Sequence, residues 1–328
     1  MNYMTVLGEG AWGTAFATLL ASNGYKVKLW CHDPAVARVI TTKLVNERYL
    51  PGIPLSPLIE PTIFLEEALS ASEFIFEAVP VPYIRGLVGK AKNYVDPSHI
   101  WVILSKGIEQ DSLFFPSQII DDVLGFTAQK AVISGPSYAY DLAHQYCTAV
   151  ALAGSSENIG QRIQTLVSNC YLRAYLTNDL LGVQSGGALK NVLAVAVGLL
   201  DGAGYGDNVK AFLVTRGFAE LVIIAQLLGG QKDTLYGLSG MGDLMLTAFG
   251  KQSRNVAIGR ALGRGEKIDL INTPVLPEGI KTIVSVKQLL DKHSLNLPIF
   301  RGIHEMVFEN KPIKQFLNEL MQRPLECE

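Results

Sequence analysis

Short apolar runs alternate with longer helix-like stretches through the first half of the chain. The predicted strands are Tyr3 to Leu7, Val27 to Trp30, Phe74 to Val79, Ile100 to Leu104, Ala131 to Ser134, Thr148 to Ala153 and Tyr171 to Leu176. The predicted helices among them are Thr14 to Leu20, Ala35 to Leu44, Tyr83 to Ala91 and Ile159 to Val167. Because helices usually connect parallel strands, this alternation predicts an α/β domain with a largely parallel sheet.

The pattern changes after Asn178, where strand-like runs stop and only helical stretches follow. These stretches are Ala188 to Leu200, Val209 to Leu228, Val256 to Leu262, Gly279 to Lys292 and Arg301 to Phe308. We therefore expect an α/β domain over residues 1–180 and an all-α domain over residues 181–328. Asn178 and Ser185 are both candidate N-caps for the first helix of the second domain. The proline-rich stretch from Leu50 to Pro61 is predicted to be an exposed loop.

Composition narrows the class of protein. The 328 residues are 48% apolar and 18% charged, so the chain folds and is long enough for two domains. Its 28 Lys+Arg nearly balance its 30 Asp+Glu, which leaves no basic field to attract phosphate backbones. We expect no nucleic-acid partner.

Cysteine and histidine usage argues against a metal site or a disulfide framework. No two cysteines have metal-binding or redox spacing, and the histidines are scattered. The cysteines are Cys31, Cys147, Cys170 and Cys327. The N-terminal segment lacks the pattern of a secretory signal, and the longest apolar runs are about half of the roughly 20 residues that span a membrane. We expect a cytoplasmic protein with no stable membrane insertion.

A glycine motif lies between the first predicted strand and the first predicted helix. Gly8, Gly10 and Gly13 form a G-x-G-x-x-G in the context typical of dinucleotide binding. Gly8 permits the tight turn, Gly10 lets the backbone approach a pyrophosphate, and Gly13 lets the helix pack closely on the strand. The helix N-terminus would then face the anion. The motif predicts a Rossmann-type, doubly wound first domain that binds NAD or NADP.

The second predicted strand ends where such folds bind the adenosine ribose. His32 and Asp33 follow this strand. Asp33 is placed to bind a free ribose hydroxyl, but it is equally placed to cap the helix that begins at Pro34. The sequence leaves the choice between NAD and NADP open.

Polar residues follow two further strands at the sheet edge where open α/β folds bind ligands. Lys106 comes after the strand that ends at Leu104, and Gly135 and Ser137 come after the strand that ends at Ser134. Each could contact a polar ligand, or could be an ordinary solvated turn residue.

Lys190 stands in a stretch that is otherwise apolar around the whole helix, with Asn191 beside it. Burial and the positive end of a helix would both lower the pKa of its amine toward the range useful for proton transfer. Lys190 is therefore a candidate acid/base and Asn191 its hydrogen-bonding neighbour. The alternative is a lysine that extends from the first helical turn to water.

Two polar clusters in the helical half are predicted to lie in turns. Asp243, in the first, could hold a lysine by charge. Arg254 and Asn255, in the second, stand at a helix start and could grip a phosphate through side-chain and backbone donors. Each cluster could also be a plain turn or cap.

Together these segments resemble the bacterial NAD(P)-dependent glycerol-3-phosphate dehydrogenase family, in order along nearly the whole chain. The matching segments are Gly8 to Ala15, Ser105 to Gly107, Ile133 to Ser137, Gly187 to Asn191 with Asp201, Gly202 and Asn208, Gly242 to Leu244, and Gln252 to Asn255. The resemblance implies reversible reduction of dihydroxyacetone phosphate to sn-glycerol 3-phosphate, for glycerophospholipid synthesis, with Lys190 as the acid/base. It also implies a small-molecule substrate. The sequence leaves the oligomeric state open, with a homodimer as one option.

The resemblance implies roles for further residues. The implied substrate-binding set is Lys106, Gly135, Ser137, Lys190, Asn191, Asp243, Ser253, Arg254 and Asn255. The implied cofactor-binding set is Gly8, Gly10, Ala11, Trp12, Gly13, His32, Lys106, Ala139, Arg254, Leu276 and Glu278.

Glu9 departs from the family pattern, which has a small residue between the first two glycines. An acidic side chain there would weaken pyrophosphate binding unless it points to solvent. The alternative functions are another two-domain dehydrogenase, of the 3-hydroxyacid or ketopantoate type, and a redox sensor that binds NAD(P) without catalysis.

Overall fold

The computed structural model describes residues 3–270, 273 and 276–324. The strands are β1 Tyr3–Leu7, β2 Lys26–Trp30, β3 Val45–Asn46, β4 Leu50–Pro54, β5 Ile59–Thr62, β6 Phe74–Glu77, β7 Ile100–Ile103, β8 Gln129–Ser134, β9 Thr148–Gly154 and β10 Leu172–Thr177. The helices of the first half are α1 Ala11–Ser22, α2 Pro34–Lys43, α3 Leu65–Ser70, α4 Val81–Ala91, α5 Pro116–Leu124, α6 Ala139–Ala143 and α7 Glu157–Val167. Those of the second half are α8 Leu180–Gly202, α9 Asp207–Leu227, α10 Lys232–Tyr236, α11 Asp243–Phe249, α12 Arg254–Gly263, α13 Glu278–Lys292, α14 Pro298–Phe308 and α15 Ile313–Met321. A short π-helical segment, Leu238–Gly242, joins α10 to α11.

Eight strands form one sheet in the order β10-β9-β8-β7-β6-β1-β2-β5. The strands from β5 to β8 in this order run parallel, whereas β9 is antiparallel to β8 and β10 is parallel to β9. The predicted parallel-dominated sheet, with helices connecting its strands, is therefore confirmed. Strands β6 and β7 are buried at every position because helices cover both faces of the sheet.

The carboxyl ends of β1, β2, β6, β7 and β8 lie at one edge of the sheet, since these strands are parallel. Along this edge the end of β1 lies between the ends of β2 and β6, because β1 pairs with both strands. Connections from the strands to α1, α2, α4 and α6 leave from this edge. It is the edge on which the predicted site residues of the first half lie.

The proline-rich stretch after residue 50 is not an exposed loop. It forms β4 and β5, and β5 extends the main sheet beside β2. Leu50, Ile53 and Ile59 are buried. The prediction was wrong because prolines lie among apolar residues at strand spacing, and an edge strand tolerates proline.

Helix α8 forms the centre of the helical half and packs against α9, α11, α12 and α13. It is long and apolar enough to cross a membrane by length and composition, but 89% of its most apolar window is buried inside the protein. Its N-cap is Asp179, whose carboxylate accepts a hydrogen bond from the Gly182 amide at 2.8 Å. Neither Asn178 nor Ser185 caps it, and Ser185 lies within the helix.

Candidate active site

The turn between β1 and α1 has the geometry that its glycines predict. Gly8 has φ +115°, and a Cβ on it would lie 2.9 Å from the Ala78 carbonyl oxygen. A Cβ on Gly13 would lie 2.0 Å from the Gly8 carbonyl oxygen, so only glycine lets α1 approach this closely. A Cβ on Gly10 would meet no heavy atom within 4 Å, which leaves its backbone open to a ligand.

The N-terminus of α1 borders this open space. Gly10 is the N-cap and Ala11 the first helical residue, with no side-chain hydrogen bond capping the helix. Its free N–H groups therefore face the place where a pyrophosphate would bind. The indole Nε1 of Trp12, on the same turn, is buried with no hydrogen-bond partner. Helix α6, which begins at Ala139, packs against α1.

Glu9 does not point to solvent. Its side chain is buried, with 7% of the residue exposed. The carboxylate accepts hydrogen bonds from the backbone amides of His32 and Asp33, each at 3.0 Å, just after β2. Its backbone carbonyl oxygen accepts from Thr14 Oγ1 at 2.9 Å and from Asn46 Nδ2 at 2.8 Å. The carboxylate thus lies inside the protein because two amides replace its water.

Asp33 caps α2, one of the two roles that the sequence left open. Its Oδ1 accepts from the Ala35 amide at 2.8 Å, and its Oδ2 pairs with Arg48 at 2.6 Å. The His32 side chain is exposed beside it.

Lys106, Lys190 and Asp243 form one cluster, in which Lys190 and Asp243 are buried and Lys106 is half-buried. Lys190 Nζ lies 2.6 Å from Asp243 Oδ1, and Lys106 Nζ lies 2.6 Å from Asp243 Oδ2. Lys190 also donates a short hydrogen bond to Thr247 Oγ1. Sequence reasoning missed Thr247, although it follows Asp243 by one helical turn and so shares its face of α11.

The pKa of the Lys190 amine is lowered to about 8, chiefly by burial. The negative charge of Asp243 raises this pKa, and the positive charge of Lys106 lowers it further. Burial alone would raise the pKa of Asp243, but the two ammonium groups lower it below its ordinary value. Asp243 therefore stays ionised between two cations, one of which has a pKa close to neutral pH.

Lys190 does not extend to water, since it is 6% exposed. It lies in the middle of α8, which begins ten residues earlier at Leu180. The expected effect of a positive helix end on its pKa is therefore wrong, because a macrodipole acts within the first turn only. Burial is the cause of the shift.

Two glycines of α8 let the sheet and the π-helical segment reach this cluster. A Cβ on Gly187 would lie 2.5 Å from Ser134 Oγ and 3.4 Å from the Lys106 side chain. A Cβ on Gly186 would lie 2.5 Å from the Ser239 carbonyl oxygen. The prediction that Asp243 lies in a turn was wrong. Asp243 begins α11, directly after the π-helical segment.

Other predicted substrate residues surround the cluster. Lys106 Nζ donates to the Gly135 carbonyl oxygen at 3.2 Å, and that oxygen also accepts from Ser137 Oγ at 2.9 Å. Asn191, one residue after Lys190, accepts at Oδ1 from Asn255 Nδ2 at 3.0 Å.

Ser253 and Arg254 form the start of α12, as predicted. Ser253 is the N-cap and accepts from the Val256 amide at 3.2 Å. Arg254 is the first helical residue and its side chain is exposed. Asn255, next to it, links α12 to α8 and, through Oδ1, accepts from the Gly279 amide at 3.0 Å.

Acidic side chains lie between the glycine turn and Lys106. Glu77, at the end of β6, accepts from the Val79 amide at 2.7 Å and from Ser105 Oγ at 2.6 Å. Burial raises its pKa to about 7. Burial likewise raises the pKa of Glu278 to about 7, although the positive charges of Lys281 and Arg254 lower it. A Cβ on Gly107 would lie 3.2 Å from Glu278 Oε2, so α13 reaches the end of β7.

Glu77 was not singled out from the sequence, and Ser105 was named only within the matching segment Ser105 to Gly107. Leu276, the remaining predicted cofactor residue, is half-buried and packs on the helical core. Among the residues that the structure describes, no three His, Cys, Asp or Glu side chains are grouped as metal ligands. Cys327 lies outside the described residues.

Family models match both halves of the chain. The model for the NAD-dependent glycerol-3-phosphate dehydrogenase N-terminus matches residues 3–159, and the model for the C-terminus matches residues 179–318. A glycerol-3-phosphate dehydrogenase [NAD(P)+] from Bacillus velezensis is 38% identical over 327 residues, covering 98% of this chain and 95% of the relative. One from Halorhodospira halophila is also 38% identical, covering 99% and 98%.

Solved structures show the same architecture. The glycerol-3-phosphate dehydrogenase of Coxiella burnetii superposes with a TM-score of 0.91 at 32% identity, covering 98% of this chain and 99% of that one. A ketopantoate reductase from Ralstonia eutropha superposes with a TM-score of 0.61 at 14% identity, covering 98% and 100%. The second likeness concerns the fold alone.

Proposed function

We propose, starting from the fact that this chain belongs to the NAD-dependent glycerol-3-phosphate dehydrogenase family, that it reversibly reduces dihydroxyacetone phosphate to sn-glycerol 3-phosphate. The product supplies glycerophospholipid synthesis. The observation that carries the proposal is the buried Lys190 amine, held by Asp243 and Thr247 beside the ligand-binding edge of the sheet.

The cofactor is a nicotinamide dinucleotide, NAD or NADP, which supplies or accepts the hydride when bound. The open backbone at Gly10 and the uncapped start of α1 fit its pyrophosphate. Gly8, Gly10, Ala11, Trp12 and Gly13 would hold it there. The other proposed cofactor contacts are His32, Lys106, Ala139, Arg254, Leu276 and Glu278.

Lys190 is the proposed acid/base. In reduction its ammonium donates a proton to the oxygen of carbon two, and in oxidation its amine takes the hydroxyl proton. Asp243 and Lys106 orient it, because Asp243 bridges the two amines. The lowered pKa, about 8, makes both protonation states accessible near neutral pH.

Recognition of the phosphate is assigned to Arg254 with Ser253, Asn255 and Asn191. The exposed fork of Arg254 at a helix N-terminus supports this role, since both features attract an anion. Gly135 and Ser137 would line the substrate beside Lys106. In this assignment residues 1–180 bind the dinucleotide and residues 181–328 bring the substrate groups.

An absorbance assay tests the function. Purified protein mixed with dihydroxyacetone phosphate and NADH or NADPH is expected to consume the reduced nicotinamide. Dihydroxyacetone without phosphate is expected to react very poorly, and Arg254→Ala to raise KM for the phosphorylated substrate mainly. Equal turnover of both ketones would favour the other dehydrogenase types, and cofactor binding with no turnover of either would favour a redox sensor.

We also propose a cytoplasmic homodimer. Cys31, Cys147 and Cys170 are free thiols, as is usual in a reducing compartment. Light scattering on the purified protein measures the oligomeric state.

A further inference from the structure

The buried Glu9 carboxylate lies where the dinucleotide fold presents the adenosine ribose. In Rossmann-type domains an acid at the end of the second strand binds the ribose 2′-hydroxyl, and a basic group there accommodates a 2′-phosphate. Here the amides that follow β2 belong to His32 and Asp33, and both donate to Glu9 at 3.0 Å. The acid at this position therefore comes from the glycine turn itself.

These two amides stand at the start of α2, where Asp33 is the N-cap. A helix N-terminus with free amides is a ready site for a phosphate. Glu9 already accepts from the His32 and Asp33 amides, and Asp33 accepts from the Ala35 amide. A 2′-phosphate would therefore lose these donors and meet the Glu9 carboxylate. Each Glu9 oxygen keeps a lone pair beyond the amide bond, which suits it to accept from a ribose hydroxyl.

Glu9 is held in this place by its backbone as well. Its carbonyl oxygen accepts from Asn46 Nδ2, and Asn46 Nδ2 also lies 2.8 Å from Thr14 Oγ1. Since both ends of the residue are fixed, the carboxylate cannot turn away without breaking hydrogen bonds in a buried region. Arg48, the basic side chain next to this site, is already paired with Asp33 at 2.6 Å.

We propose that Glu9 binds the adenosine ribose and excludes a 2′-phosphate, which makes this protein specific for NAD over NADP. The inference rests on the proposed function and deepens it, since it chooses between the two cofactors. A like charge placed against the 2′-phosphate reduces affinity for the phosphorylated dinucleotide by roughly 100-fold or more.

Calorimetric titration with nucleotide fragments tests this without turnover. ADP-ribose and 2′-phospho-ADP-ribose differ only in the phosphate, and neither carries nicotinamide. The wild-type chain is expected to bind ADP-ribose about 100-fold more tightly. Glu9→Gln keeps the size of the side chain and removes its charge, and we expect it to narrow the ratio to about tenfold or less, chiefly through tighter binding of the phosphorylated fragment.

Glu66→Gln is the matched control, because it removes one carboxylate from the exposed face of α3. The control is expected to leave the wild-type ratio unchanged. Glu9→Ser is the second variant, for use if Glu9→Gln does not fold, and it should relax the ratio in the same direction. Circular dichroism of each variant reports its fold.

Equal binding of the two fragments by the wild-type chain, or an unchanged ratio in a folded Glu9 variant, would overturn the inference. Relaxation by Asp33→Asn but not by Glu9→Gln would overturn it too, because Asp33 would then be the discriminating acid. If the wild-type chain strongly prefers ADP-ribose to 2′-phospho-ADP-ribose but does not reduce dihydroxyacetone phosphate, the result would contradict the proposed reaction and still support the role of Glu9. Binding of neither fragment would contradict both.

Discussion

Lys190 keeps its charge inside an apolar helix because oxygen atoms replace the water that it gives up. Asp243 Oδ1 lies 2.6 Å from its amine, and Thr247 Oγ1 accepts a second hydrogen bond. An unpaired ammonium at this depth would lose its proton or destabilise the fold. The pKa of about 8 is the balance between burial, which dominates, and this ion pair.

The pH dependence of the reaction follows from that value. In the proposed mechanism, reduction needs the protonated Lys190, so kcat for reduction is expected to fall as pH rises through about 8, and kcat for oxidation to rise. Asp243→Asn removes the charge that raises the pKa of Lys190, so the pH at which kcat changes, the limb of each pH profile, should move to lower pH. Profiles that show no limb near this pH, or a limb that moves to higher pH in the variant, would exclude Lys190 as the proton donor.

Truncation of Lys190 gives a second prediction. Lys190→Ala removes the proposed proton donor and is expected to reduce kcat by about 100-fold or more. The glycine turn is untouched, so the affinity for ADP-ribose should stay within about twofold of wild type. Steady-state kinetics and calorimetry measure the two effects, and a variant with wild-type kcat would contradict the mechanism.

Glu77 links protonation to stability. Burial raises its pKa to about 7, so the folded state binds a proton that the unfolded state releases near 4.5. The free energy of unfolding therefore falls as pH rises from about 4.5 to about 7, by up to ~3 kcal/mol. Glu77→Gln lacks this titration, so its Tm relative to wild type should be higher at pH 8 than at pH 5. A Tm difference that is the same at both pH values would show that Glu77 does not carry the shift.

At the scale of the element, different glycines of the β1–α1 turn serve folding and ligand binding. Gly13 is needed for packing, since a Cβ there would lie 2.0 Å from the Gly8 carbonyl oxygen. Gly10 is not, since a Cβ there would enter open space at an ordinary φ of −57°. The two positions of this motif thus require glycine for different physical reasons: Gly13 for helix packing and Gly10 for the approach of a ligand.

A pair of alanine variants tests this difference. Gly13→Ala is expected to lower the free energy of unfolding by about 1–3 kcal/mol, because the backbone must shift. Gly10→Ala should change it by less than about 0.5 kcal/mol, while its methyl group weakens ADP-ribose binding by about tenfold or more, since it occupies the approach of the pyrophosphate. Denaturant unfolding and calorimetry give both quantities. Equal losses of stability in the two variants would contradict the assignment.

At the scale of the whole molecule, α8 joins the sheet to the helical half. Lys106 comes from the sheet edge, Lys190 from α8 and Asp243 from α11, so the cluster exists only when these elements are packed together. Gly187 controls that packing, because a Cβ on it would lie 2.5 Å from Ser134 Oγ.

Gly187→Ala is therefore expected to lower both stability, by about 1–3 kcal/mol, and kcat, because its methyl group pushes Ser134, at the end of β8, away from α8 and disturbs the sheet edge beside Lys106. The matched control is Gly86→Ala on the exposed face of α4, where a Cβ meets nothing within 4 Å. That variant should be neutral or stabilising by up to about 1 kcal/mol. Unfolding curves and kinetics compare the two, and similar effects at both positions would refute the role of the α8 contact.

Much of the fold was predictable because strands and helices depend on local periodicity. The run Tyr3–Leu7 and the strands β2, β6 and β7 are read directly from apolar runs. Elements with weak or mixed signals were missed, among them β5 with its proline and the short α11. The N-cap of α8 was missed. The sequence left Asn178 and Ser185 open as candidates, whereas the cap is Asp179, which follows Asn178 directly and is an equally good cap by residue type.

The sequence by itself determined which residues are candidates for chemistry: a glycine turn for a dinucleotide, and lysines and an aspartate in otherwise apolar surroundings. Residue type and short-range spacing are enough for that. Only the tertiary structure decided that Asp243 joins a lysine 53 positions away to another 137 positions away, and that Glu9 turns inward to the amides after β2. Such contacts depend on how distant elements pack, and packing is set by the whole core rather than by any local pattern.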